Sequence, residues 1–374
     1  MAIVKFGDIV RDVKINVDRA NNPYEHYVAG DHMDSEDLTI HRYGSFETDD
    51  VGPAFTRIFK PGQILYGSRR TYLKKVAVAD FEGICANTTF VLESKDEALF
   101  DNRLLPFIML SDAFTRWSIA HSKGSTNPYV LFSDLADYEF DLPPLAEQKV
   151  LADKLWAAYR LKESYKKLLV ATEEMVKSQF IEMFKDKEPN GNIADLVYTS
   201  INSVKKSFNK EDSIEYIDIS SVNAKSHTLS NTTQYIVNSA PSRAQQCVQI
   251  GDILVSTVRP INRNIAVVDC DLKNLVASTG FCVLRPKEGY REYLLSIVTS
   301  DKYTDKMCDI ASGGLYPAVN NGDVLSYEIF IPDEDFLCRI TRIYRQADKS
   351  GSGGRESVAL MDKVKKSLIN YYNI

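Results

Sequence analysis

The chain lacks most of the features from which catalysis or metal binding is read. Its six cysteines (Cys85, Cys247, Cys270, Cys282, Cys308 and Cys338) form no C-x-x-C pair and have no His-rich segment beside them, so reduced, mostly buried thiols are expected rather than a zinc site. Three of its five histidines, His26, His32 and His41, lie near Asp31 and Asp34, but their spacing fits no single helix or strand face and they read as a polar loop. No apolar run approaches the roughly eighteen residues of a membrane span. The opening "MAIVKFGDIVRDVKI" carries charges where a signal peptide keeps its apolar stretch, so a soluble, cytoplasmic protein with no membrane partner is expected. No G-x-G loop follows a strand to seat a methyl donor, and no G-x-x-x-x-G-K-[ST] is present to hold a nucleotide. "DLPPL" (141–145) departs from the Asp/Asn-Pro-Pro-aromatic motif of amino-methyltransferases, because Leu142 intervenes and Leu145 replaces the aromatic residue. "IPDEDF" (331–336) lacks the downstream acidic-x-Lys element of a nuclease. A surplus of positive charge is missing as well: 45 Lys and Arg face 51 Asp and Glu, for a net charge of −6.

What the chain does have is the same sentence twice. "GQILYGSRRTYLKKVAVAD" (62–80) and "GDILVSTVRPINRNIAVVD" (251–269) share seven of nineteen positions without a gap, at an offset of 189 residues. The offset returns in "GSTNPYVLFSDLADYEFDLP" (124–143) and "GGLYPAVNNGDVLSYEIFIP" (313–332), where Gly, Pro, Val, Asp, Tyr, Glu and Pro coincide. Because 189 is about half of 374, the chain reads as a tandem duplication of one unit.

Each unit opens with short β-type runs broken by Gly, Asn, Asp and Pro, such as "QILYGS" and "TTFVLE" in the first and "IEYIDIS" and "DILVSTV" in the second. Each then turns helical. The stretch 146–184 contains no Gly or Pro, and Leu151, Leu155, Tyr159, Leu169, Val176, Phe180 and Phe184 recur at spacings compatible with one face. At 1.5 Å per residue such a helix is roughly 55 Å long, more than a small core requires. The second unit ends likewise, with Val358, Met361, Val364, Leu368 and Tyr372 as its stripe, but "SGSGG" (350–354) intervenes. Glycine costs about 1 kcal/mol per residue inside a helix, so a break is expected there. The expected class is α+β: a first domain over 1–144, a central helix over 145–185, a second domain over 186–332 and a C-terminal helix over 333–374 interrupted at 350–354. The two long helices are expected to pack antiparallel in the manner of a coiled coil.

The repeated loop carries the chemistry. In the first copy Arg69, Arg70, Lys74 and Lys75 stand with Tyr72, and in the second Arg259, Asn262, Arg263 and Asn264 lie close together, with Arg70 and Arg259 aligned. Cations suit phosphates, Arg grips guanine with two hydrogen bonds, and Asn does the same for adenine. Lys123 and Asn127 in the first unit and Tyr316 in the second belong to another repeated polar loop that can approach the same ligand.

Two divergent domains each followed by a long helix, the "LPPLAEQKVLADKL" junction (142–155) and "GDILVS" (251–256) together resemble the specificity subunit of type I restriction-modification systems. The second junction, "IPDEDFLCRI", keeps Ile331 and Pro332 but loses the second Pro and the Glu-Gln pair. The resemblance implies a non-catalytic reader of double-stranded DNA with two target-recognition domains, each reading half of a split, asymmetric sequence. It implies helices that set the spacing and dock two methylation subunits, with restriction subunits joining the full complex. No cofactor is expected in this chain; S-adenosylmethionine, Mg and ATP are expected on the partners. A recognition region of a fused restriction-methylase, or a two-lobed scaffold that binds no DNA, would carry the same two-unit pattern.

Overall fold

The computed structural model describes residues 2–18, 21–270 and 272–372, with the side chains of Asp348 and Tyr372 outside the description. The fold mixes helix and sheet. It divides into two compact units, Met1–Leu168 with Gly354–Ile374, and Leu169–Gly353, and the divisions fall inside the two long helices.

The first unit contains a four-stranded antiparallel sheet in the order Val10–Asp12, Thr89–Ser94, Ile64–Gly67, Val76–Val78. A second sheet runs Gly44–Ser45, His26–Val28, Gly83–Ala86, Phe55–Phe59, with His26–Val28 parallel to Gly83–Ala86. The second unit has the same plan. One sheet runs Val197–Tyr198, Phe281–Pro286, Ile253–Ser256, Ile265–Val267. The other runs Thr233–Ile236, Ser213–Ile217, Leu275–Ser278, Ala244–Cys247, again with one parallel pair. Even the irregularities recur at the sequence offset. The strand pairing slips between Phe55 and Arg57 in one unit and between Ala244 and Gln246 in the other. Such bulges bend and twist a strand and are features of a fold rather than accidents.

Two shorter helices pack against the repeated turns, and two long ones leave the cores. Helix α1 (Asp112–Ala120) and helix α3 (Asp301–Ile310) occupy equivalent places, and each is capped by a serine, Ser111 or Ser300, whose hydroxyl accepts the amide of the third helical residue, Phe114 or Tyr303. Helix α2 (Leu145–Phe184) and helix α4 (Glu334–Tyr372) are the two long ones. Each begins in its own unit's core. Leu151 and Leu155 are buried with Phe6, Phe107 and Phe114, and Ile340, the counterpart of Leu151, is buried with Tyr293 and Tyr303.

The junctions differ in chemistry and agree in position. In the first turn of α2, the buried Gln148 side chain donates to the carbonyls of Leu99 and Pro143 and accepts the amide of Asp101, tying the helix to the preceding chain. Before α4, where that glutamine is missing, Asp333 accepts the Phe336 amide at 2.8 Å as an N-cap. The second junction thus secures the start of its helix by a cap, the first by a buried glutamine.

Within the first unit α2 and the last part of α4 run antiparallel. Leu155 and Ile369 share one core, and seven residues further along α2 Lys162 pairs with Asp362 at 2.6 Å. The second unit repeats the sense: Phe180 meets Tyr344 at 5.2 Å between ring centres, and Phe184 meets Phe336 at the same distance. Of the expected stripes, Leu151, Leu155 and Val176 are buried, Tyr159, Leu169, Phe180, Phe184, Val358, Met361, Val364 and Leu368 are partly buried, and Tyr372 lies outside the described side chains.

One expectation is corrected. The 350–354 run does not interrupt α4, which is continuous from Glu334 to Tyr372. Gly351 and Gly354 are buried. Tertiary packing, which carries most helix stability in proteins, overrides the poor propensity of the run.

Candidate functional site

In each unit the basic sequence joins two neighbouring strands of the antiparallel sheet. Ile64–Gly67 and Val76–Val78 flank a single 3-10 turn, Thr71–Leu73, and Ile253–Ser256 and Ile265–Val267 flank Pro260–Asn262. The residues on either side of each turn are left-handed: Arg70 (φ 49°) and Lys74 (φ 48°) in the first, Arg259 (φ 50°) and Arg263 (φ 51°) in the second. For a residue with a Cβ this conformation costs roughly 1–2 kcal/mol, and such strain persists only where the surroundings fix it.

The surroundings do fix it, by backbone bonds that recur in both units. The amide of Arg70 donates to the carbonyl of Pro128 at 2.7 Å, and that of Arg259 to Pro317 at 2.7 Å. Val130 donates to Ser68, and Val319 to Thr257, each at 2.9 Å. The second repeated loop is therefore stitched to the first. It turns on Gly124 and Gly313, both left-handed, and a Cβ at Gly313 would come within 3.1 Å of the Tyr316 carbonyl.

The side chains of this double loop sort into two groups. Those beyond the turn are held by the protein. Lys74 reaches Glu36 at 3.1 Å and Asp112, at the start of α1, at 3.2 Å. Its burial works to lower its pKa, but the two carboxylates more than offset that, leaving it above the ordinary lysine value. Arg263 pairs with Asp301, the equivalent residue at the start of α3, at 2.5 Å. Lys75 donates to the carbonyl of Gly30, and Lys123 pairs with Asp134 at 3.0 Å. Asn264 is half-buried, and its carbonyl accepts the Ser256 amide.

The residues before the turn and at its tip face outward. Arg69 and Arg70 are exposed, and among the described residues their side chains make no hydrogen bond or ion pair. Tyr72, Asn127 and Asn262 are exposed too. Arg259 stacks on Tyr316, its guanidinium 4.4 Å from the ring centre. The structure thus brings Arg69, Arg70, Tyr72, Lys74, Lys75, Lys123 and Asn127 onto one double loop, and Arg259, Asn262, Arg263, Asn264 and Tyr316 onto its counterpart. Tyr129, in the second repeated loop, is 40% exposed, and two exposed apolar residues were not singled out from sequence: Ile261 (65% exposed) and Leu315 (80%). Ile261 falls at the position of Tyr72 under the 189-residue offset, which is the signal that marks it.

The histidine segment is a polar loop in the structure. His32 accepts the amide of Ala29, and Asp34 pairs with Arg42. His26 packs on Tyr43 at 4.3 Å between ring centres. His41 instead approaches Asp37 and Glu163, with ligand-type atoms all within 4.8 Å of one another. Those carboxylates are already engaged: Asp37 by Tyr159 and Thr39, and Glu163 by Lys166 at 2.7 Å. Among the described residues no helix is long and apolar enough to cross a membrane.

Residues 24–171 match the family described as the type I restriction modification DNA specificity domain. The chain is 33% identical over 116 residues to the Type I restriction enzyme HindI specificity subunit of Haemophilus influenzae, covering 30% of this chain and 25% of that protein. It is 30% identical over 148 residues to the Type I restriction enzyme EcoDI specificity subunit of Escherichia coli, covering 40% and 32%. The matched stretches thus span a quarter to a third of those relatives. In fold the chain resembles a Type-I restriction-modification system S subunit from M. genitalium (TM-score 0.57, 12% identity, 100% of this chain and 96% of that one). It also resembles a chain from a structural study of complex assembly and conformational transition of the type I R-M system (TM-score 0.56, 18% identity, 99% and 96%).

Proposed function

We propose that this chain, whose residues 24–171 match the type I restriction modification DNA specificity domain, is the sequence-reading subunit of a type I restriction-modification complex. Each unit reads one half of a split, asymmetric target in double-stranded DNA through its double loop. The chain itself is non-catalytic. Two methylation subunits dock along α2 and α4 and act on the DNA it selects, and restriction subunits join the full assembly. S-adenosylmethionine, Mg and ATP belong to those partners, and the complex works in the cytoplasm.

The observation that carries this proposal is the duplicated turn, in which Arg70 and Arg259 are held in the same strained backbone by the same hydrogen bond, with the Arg70 side chain exposed and the Arg259 guanidinium resting on the exposed ring of Tyr316. A duplex reader needs cations for phosphate and planar donors for base edges, and a split target needs two such surfaces. With the chain's net charge of −6, counterion release supplies little affinity to the isolated subunit, so tight binding requires the methylation subunits. Their share of the phosphate contacts supplies the missing positive field.

Mapping methylated adenines genome-wide in cells carrying the whole system defines the target. Footprinting of the purified complex on that target then gives two protected patches separated by a gap of fixed length and indifferent sequence. One continuous patch, or protection unrelated to the methylated sites, overturns the proposal. Lengthening α2 and α4 by matched helical turns changes the preferred gap; an unchanged gap removes the spacing role of the helices.

A further inference from the structure

The two double loops share a backbone but not a side-chain setting. In the second unit the Arg259 guanidinium lies over the Tyr316 ring at 4.4 Å, and its Nη2 donates to the carbonyl of Leu315 at 3.2 Å. In the first unit the position of Tyr316 is taken by Asn127, and among the described residues Arg70 has no ring beneath it. Tyr316 is 62% exposed and its neighbour Leu315 is 80% exposed, so neither serves the core. The ring contact and the hydrogen bond to Leu315 together restrain the arginine head group.

Such restraint matters for one kind of contact. A guanidinium carries five donors in a rigid fork, of which the Leu315 carbonyl takes one. A guanine presents O6 and N7 side by side in the major groove, and a bidentate grip requires the fork to lie in the base plane. A phosphate accepts a cation from many directions and gains little from such alignment. An arginine already stacked also loses less rotamer freedom on binding.

We infer that Arg259, with Tyr316 as its positioning residue, reads a guanine in the half-site of the second unit. The inference rests on the DNA-reading role proposed above and names the base that one residue selects. Arg70, at the same backbone position with no support, discriminates its half-site less sharply through that side chain.

The test uses the assembled complex and the duplex target defined by methylation mapping, with 7-deazaguanine, which lacks the N7 acceptor, placed at each guanine of the second half-site in turn. One such replacement weakens wild-type binding about tenfold. Arg259→Ala abolishes the sensitivity at that position and nowhere else. Tyr316→Ala reduces the discrimination, Tyr316→Phe, which keeps the ring, preserves it, and the salt dependence of binding is the same in both. Sequence-specific binding in which Tyr316→Ala discriminates as wild type does, or in which Arg259→Ala weakens all DNA equally with a shallower salt slope, overturns the inference while leaving the DNA-reading role in place. A second half-site without a guanine overturns it too. A wild-type complex with no sequence-specific binding overturns the DNA-reading role itself.

Discussion

Asp112 takes Lys74 out of solvent: its carboxylate accepts the lysine ammonium at 3.2 Å, and its other oxygen lies 3.0 Å from Lys366 on α4. One acidic residue at the start of α1 thus joins the basic turn to the last helix within the first unit. The site also suits it, because the N-terminal end of a helix favours a negative charge.

The hydrogen bonds from Lys366 and Lys74 hold the Asp112 pKa below the ordinary aspartate value. The folded state therefore binds fewer protons at this group than the unfolded state. Its contribution is complete above the unfolded pKa and is lost as pH falls through the folded one. The expected outcome is that Asp112→Asn costs stability at about pH 6, and that its difference from wild type shrinks as pH drops below about 4. Denaturant titrations at a series of pH values check this. The Asp112 side chain is half exposed, so the difference also diminishes in high salt.

Gln148 supplies a sharper stability test. Its buried amide group satisfies the Leu99 and Pro143 carbonyls and the Asp101 amide. Gln148→Ala leaves these groups without partners, and stranding one buried polar group costs about 1–3 kcal/mol. A loss of about 2–3 kcal/mol in the unfolding of the first unit is expected by chemical denaturation. Gln148→Leu is no better, because an apolar side chain answers none of the three.

The arginine of the turn makes stability and recognition move in opposite directions. Arg70→Gly removes a side chain from a left-handed backbone, a gain of roughly 1–2 kcal/mol that the flexibility of glycine in the unfolded chain reduces to about 1 or less. Recognition of the first half-site weakens by about 1–3 kcal/mol if Arg70 grips a base. Thermal unfolding and binding to half-site variants, measured on the same protein, check both signs. A variant that loses stability and leaves recognition intact marks Arg70 as a structural residue.

The duplication was legible in sequence because it is written in residues whose backbone leaves little choice: Gly124 and Gly313 turn left-handed, and Pro128 and Pro317 present the carbonyls that the arginines use. The α+β class followed from the alternation of short apolar runs with two long amphipathic stretches. The sorting of the site was not legible. Lys74 and Arg70 look alike as letters, and only the fold brings Asp112, distant in sequence, against the lysine. Arg263 and Asp301 repeat that arrangement with a different cation, so the pair is preserved as a relation between charges rather than as a motif. The cap at Asp333 was hidden for a similar reason: it secures the start of the second long helix through a residue that the first junction does not have.

The glycine run in α4 shows where local propensity loses to context, and it yields the last prediction. Helix α4 passes unbroken through 350–354, with Gly351 and Gly354 buried and Gly353 exposed. A Cβ added at Gly353 meets nothing within 4 Å. Because glycine costs about 1 kcal/mol relative to alanine inside a helix, Gly353→Ala is expected to stabilise the protein by about that amount. The mechanism lies partly in the unfolded chain, whose freedom the alanine restricts. A rise in the denaturation midpoint with an unchanged denaturant slope is the expected signature. No rise, or a fall, would place a break at 350–354 after all, since alanine gains nothing where the backbone is not helical.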